Sequence, residues 1–168
     1  LLKYINSSYF YRITTIESVR HAIVYLGEKE IRRFLLLVII SEIATDKPAE
    51  LIRLAVSRGR FCELLAQESG YGAMTEEIFL LGLFSLLDAM LDIPMQTVIN
   101  QLPLNSMMKS ALFARTGPLA PFLQAIVAIE QGDVEACVIA LDDLGVETGL
   151  VRQLYLDAIA FTESLMQF

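Results

Sequence analysis

Two charged residues stand where the pattern calls for apolar ones. Arg58 falls in the centre of a helical stripe made of Leu51, Leu54, Ala55, Phe61, Cys62 and Leu65. Asp88 closes the run FLLGLFSLL of residues 79–87. A carboxylate in such a setting is a catalytic group, a metal ligand or half of an ion pair. On its helix, Gly82, Ser85 and Ala89 share a narrow side that lets a second helix approach closely. Read as the end of a long helix starting at Thr75, the Asp88 position is one where the dipole disfavours negative charge. Burying a lone carboxylate there costs on the order of several kcal/mol or shifts its pKa. The fork of Arg58 is the cation that fits. The expectation is therefore an Arg58–Asp88 ion pair that fixes helix register, rather than a catalytic group. Arg60 shares its side with Arg53, Ser57, Glu63 and Gln67, and that side reads as solvated.

Other chemistry is sparse. The single histidine, His21, is followed by Ala22, so an adjacent His-Asp metal pair is absent. His21 shares a polar helix face with Glu17, Tyr25 and Glu28. The sequence holds no glycine-rich phosphate loop and no Gly-x-Ser-x-Gly elbow. Asp88, Asp92, Asp142 and Asp143 are the nearest approach to an acidic metal cluster, and Asp142 and Asp143 point to different helix sides. Carboxylates alone suit weak Mg²⁺ or Ca²⁺ sites. The reading is no metal, no cofactor and no enzyme. Cys62 and Cys137 are far apart without a Cys-x-x-Cys. They read as small core residues in a reducing compartment, the cytoplasm.

The elements that position these residues are helical nearly throughout, with no clean period-2 run. Thr14-Thr15-Ile16-Glu17 resembles a capping box, and its helix ends at Gly27. A second helix covers about 28–44. Pro48 opens one that stops at Gly70, and Thr75-Glu76-Glu77 opens one that Pro94 ends. Pro103-Leu104-Asn105-Ser106, Gly117-Pro118, Gly132-Asp133 and Gly145 mark further junctions. The expected architecture is all-α: a compact bundle of about nine or ten helices, one domain over residues 1–168. The opening LLKYIN lacks a Met and an N-cap and reads as an N-terminally truncated fragment of a larger protein.

Of the 168 residues, 55 % are hydrophobic, and the mean hydropathy is +0.53. The longest apolar run, Phe34 to Ile40, is far short of the roughly 18 residues of a membrane span. The excess apolar surface points to a protein partner or a homodimer. The net charge of −7 divides unevenly. Residues 1–60 hold ten Lys/Arg and six Asp/Glu, and residues 61–168 hold three and fourteen. That balance argues against nucleic acid. Tyr9, Phe10 and Tyr11 read as core packing.

LLKYINSSYF (1–10) and IESVRHAIVYLG (16–27) resemble the HDOD domain, an all-helical relative of the His-Asp phosphohydrolases that has lost their metal ligands. LAVSRGRFCELLA (54–66), IFLLGLFSLLDAMLDIPM (78–95), LPL (102–104) and EQGD (130–133) are similar to the C-terminal half of bacterial EAL–HDOD signalling proteins. In those proteins an EAL domain of the cyclic-di-GMP phosphodiesterase type comes first. The resemblance marks Asn6, Ser7, Arg58, Arg60, Phe61, Glu63, Gly82, Ser85, Asp88 and Pro103 as signature positions. Gly59 stands where Ala is expected, a departure of little consequence. It implies a non-catalytic regulatory module acting through protein–protein or interdomain contacts. Its partner would be its own EAL domain or another signalling protein. The alternative is a residual HD-type phosphohydrolase or a nucleotide- or metal-binding domain.

Overall fold

Helix starts and stops follow local backbone chemistry. The computed structural model describes residues 46–166, with the isolated positions Gly27 and Ile39. Asn6, Ser7, His21, the Tyr9–Tyr11 cluster and the capping box at Thr14 lie outside the described residues. Helix α1 spans Ala49–Glu68, entered from Pro48, whose fixed φ suits the position before a first turn. A 3₁₀ turn at Gly72–Met74 leads into α2, Thr75–Phe84. Then come α3 (Leu87–Leu91), α4 (Met95–Gln101) and α5 (Ser106–Phe113). Helix α6 is Ala120–Gln131 and α7 is Val134–Leu144. A 3₁₀ turn at Thr148–Leu150 precedes α8, Val151–Met166. The described residues thus form eight α-helices and no strand, and the all-α expectation holds.

The caps account for the boundaries. Asn105 Oδ1 accepts from the Met108 amide at 2.9 Å, and Asp133 Oδ1 accepts from Ala136 at 3.0 Å. Gly132 and Gly145, at φ 71° and 67°, end α6 and α7 in the left-handed conformation that glycine adopts without a Cβ penalty. The segment 75–93 differs from the sequence reading. It is two helices, broken at Ser85–Leu86. Ser85 bonds back to Gly82 through both its amide (3.3 Å) and its hydroxyl (2.7 Å), which tightens and ends the turn.

Helix α1 lies at the centre, packed most extensively on α2 and α8, while α6 and α7 form an antiparallel hairpin beside it. One apolar cluster joins Phe61, Leu65, Ile78, Phe122, Ile126 and Leu141. A second joins Val56, Phe79, Leu83, Leu87 and Phe161. Each such side chain taken from water contributes roughly 1.5–3 kcal/mol. Cys62 and Cys137 are both buried and free, as small core residues. No helix among the described residues is long and apolar enough to cross a membrane.

Candidate functional site

Three of the signature residues, Arg58, Gly82 and Ser85, meet where α1 crosses α2. At Gly82 a Cβ would lie 2.5 Å from the Arg58 carbonyl oxygen and 2.7 Å from Gly59 Cα, so the two backbones touch. At Gly59 a Cβ would lie 3.0 Å from the Phe79 carbonyl oxygen. The contact at position 59 is closer than ordinary packing but milder than the one at Gly82. Close approach occurs at Gly82, while Ala89, read on the same narrow side, lies beyond the helix break and is exposed.

This contact brings Arg58 of α1 beside Ser85 at the end of α2. Arg58 is 8 % exposed. Its Nη1 donates to Ser85 Oγ at 3.0 Å. Its Nε and Nη2 donate to the two carboxylate oxygens of Glu130 at 2.9 and 2.6 Å. The partner of Arg58 is therefore Glu130, near the end of α6, and not Asp88. The break at Ser85–Leu86 supplies the physical reason. It turns Asp88 from a residue near the end of a long helix into one in the first turn of α3, where exposed amides favour a carboxylate. Asp88 is half-buried, and its Oδ1 accepts from the Ala89 amide at 2.9 Å. Glu130 holds the unfavourable end-of-helix position and needs the cation.

A second guanidinium enters this region from the loop between α5 and α6. Arg115 has φ 55°, a left-handed conformation that side chains rarely adopt. Its Nη1 is buried without a hydrogen-bond partner. Burial lowers its pKa, the charge of Arg58 lowers it further, and Asp88 opposes both. Helical periodicity gives no sign of Arg115, because the residue lies in a loop.

The opposite side of α1 is covered, which corrects the solvated reading of Arg60. Arg60 Nη1 donates to Glu63 Oε2 at 2.7 Å, and its Cζ lies 5.1 Å from the centroid of the Phe161 ring on α8. Glu63 is only 2 % exposed. Ser57 Oγ donates to Thr162 Oγ1 at 2.9 Å, and Arg53 pairs with Glu163. The polar side of α1 is thus the bed on which α8 lies. Phe61 is fully buried and meets Tyr155 edge-on at 6.2 Å. Pro103 is exposed in the turn between α4 and α5, with Leu104 donating to the Leu102 carbonyl at 2.8 Å.

Of the carboxylates weighed as metal ligands, Asp92 pairs with Lys47 at 2.6 Å. Asp142 and Asp143 are exposed on α7. Among the described residues no three His, Cys, Asp or Glu side chains converge on a metal position. Chemically, the Arg58 network joins three helices through one guanidinium. Its donors at Nε, Nη1 and Nη2 are all engaged inside the bundle.

The family model described as the HDOD domain matches residues 1–101. A curated relative, "Cyclic di-GMP phosphodiesterase CdgJ" of Vibrio cholerae serotype O1, is 35 % identical over 165 residues, covering 98 % of this chain and 38 % of the relative. "Uncharacterized protein YuxH" of Bacillus subtilis (strain 168) is 27 % identical over 169 residues, covering 99 % of this chain and 41 % of the relative. The chain therefore spans about two fifths of the length of these relatives. No solved structure matches. The Vibrio cholerae relative is named as an enzyme, and this overturns the expectation of no enzyme. That expectation rested on motifs missing from 168 residues, a stretch shorter than half of the relative.

Proposed function

This chain belongs to the HDOD family, and from that premise we propose that it is the regulatory module of a cyclic di-GMP phosphodiesterase. It acts through contacts with an EAL-type catalytic domain of the same polypeptide or with another signalling protein in the cytoplasm. It sets the rate at which the second messenger is hydrolysed.

One observation carries this reading. The signature side chains Arg58, Glu63 and Ser85 are spent inside the bundle, on one another and on neighbouring residues, and Gly82 is a contact between backbones. Among the described residues of the C-terminal part, Val134, Ile139 and Leu156 project outward, with Glu135, Asp142 and Asp143 beside the first two. This part of the surface suits contact with another macromolecule.

The test is hydrolysis of cyclic di-GMP by the full-length protein, with and without residues 1–168, the remainder being checked for folding by circular dichroism. A kcat or KM altered several-fold supports regulation. Unchanged kinetics would overturn it.

A further inference from the structure

The hairpin of α6 and α7 carries a feature that the Arg58 network does not use. An open groove of about 300 Å³ runs between α7, the end of α6 and the start of α8. Ile129, Val134, Cys137, Val138, Leu141 and Val151 are among its lining residues. Positions 134, 137, 138 and 141 follow the i, i+3, i+4, i+7 spacing of one helix face. Cys137 and Leu141 of that face are buried in the core, while Val134 and Val138, at its open end, are 75 % and 37 % exposed.

The rim is mostly acidic among the described residues, with the exposed Arg152 beside Val151 as its one cation. Asp142 and Glu135 lie on the stripe of α7 adjoining Val138, with Ile139, 56 % exposed, just beyond. Asp143 and Glu147 are exposed farther around. Among the described residues, Glu135, Asp142, Asp143 and Glu147 take part in no ion pair. No Lys or Arg occurs between Thr116 and Val151. We propose that this groove docks a basic amphipathic helix of a protein partner, its apolar residues seated over Val134, Val138 and Leu141 and its Lys or Arg facing Glu135 and Asp142.

Charge selects this occupant over the others. A second copy using the same face would set acidic rim against acidic rim, which disfavours association. An anionic lipid surface or a nucleic acid would be repelled in the same way. A cationic helix gains at every point, because the apolar seam fills the groove and the flanking charges meet unpaired carboxylates. The inference rests on the regulatory reading above and names its contact surface.

The test uses the whole chain, residues 1–168, and fluorescence anisotropy with a labelled Leu/Lys peptide of about 18 residues, patterned as an amphipathic helix. The control peptide replaces every Lys with Glu. Binding of the Leu/Lys peptide is expected to weaken at least about tenfold in the double variant Glu135→Lys/Asp142→Lys, and to fall as salt rises. Val138→Asp should weaken it by a similar factor in a protein whose circular dichroism is unchanged. Equal binding of the two peptides, or undiminished binding by the double variant, would overturn the proposal. So would light scattering that shows the chain closing the groove by self-association. The phosphodiesterase comparison separates the two claims: no peptide binding beside a regulated hydrolysis rate removes the groove and leaves regulation standing. Groove-dependent binding beside an unaffected rate does the reverse.

Discussion

Two carboxylates, Glu130 and Asp88, lie in the part of the bundle where the charges of Arg58 and Arg115 act on each other. Their backbone settings decide which one holds Arg58. Glu130 sits near the end of α6, where unpaired carbonyls repel a carboxylate, and both its oxygens take the fork of Arg58. Asp88 sits in the first turn of α3 and accepts an amide there. Glu130→Ala leaves a buried guanidinium without its counter-charge and should lower stability by about 3–5 kcal/mol. Asp88→Asn, at a half-buried position, should lower it by less than about 1 kcal/mol. Urea titration followed by far-ultraviolet circular dichroism ranks the two, since the chain has no Trp to report by fluorescence. The reverse order would return the arginine to Asp88. At this scale the sequence shows that Arg58 and Asp88 are out of place in their patterns. It does not show their partners, because Glu130 is 72 residues from Arg58 and looks like any helix-end glutamate.

The crossing of α1 and α2 has backbone against backbone at its centre. Gly82→Ala would put a methyl group 2.5 Å from the carbonyl oxygen of Arg58, and no rotamer change relieves a contact with main chain. The helices must separate, with a loss of about 3 kcal/mol. Gly59→Ala meets the Phe79 carbonyl oxygen at 3.0 Å, a milder overlap. It also gains about 1 kcal/mol of helix propensity, so the net loss should be under about 1 kcal/mol. Unfolding midpoints of the two variants check the difference, and equal losses would show that Gly82 is not the tighter contact. Most junctions between elements are legible beforehand, at Pro48, Gly70, Asn105, Gly132 and Gly145, because capping and left-handed turns are local chemistry. The break at Ser85–Leu86 is not. Its residues are apolar on all sides, with no Pro or Gly at the break, and the Ser85 hydroxyl that ends the turn marks no boundary in a sequence.

Cys62 lies in the larger apolar cluster of the described residues, fully buried, with Sγ 3.6 Å from the Phe122 carbonyl oxygen. Burial pushes its thiol from an ordinary value of 9.0 up to about 12, more than the nearby Arg58 charge can offset. The folded chain therefore keeps a proton that the unfolded chain releases. The contribution is complete below pH 9 and is lost as pH rises from 9 to about 12. The decline is at most about 1.4 kcal/mol per pH unit. Comparing Cys62→Ala with the unaltered chain cancels the other alkaline titrations. The stability difference between them should shrink above pH 9, and a constant difference would mean that the thiol titrates normally. At this largest scale the sequence by itself determined the all-α class, most of the places where helices begin and end, and the acidic, apolar character of the C-terminal two thirds. Each of these follows from composition or from residues a few positions apart. Tertiary structure alone decided that Arg58 meets Glu130 and that α8 buries the polar side of α1. It alone leaves Val134, Val138 and Ile139 of α7 exposed while their neighbours Cys137 and Leu141 are buried. Such pairings join residues distant in the chain, and the geometry of several packed helices selects among partners that are chemically alike.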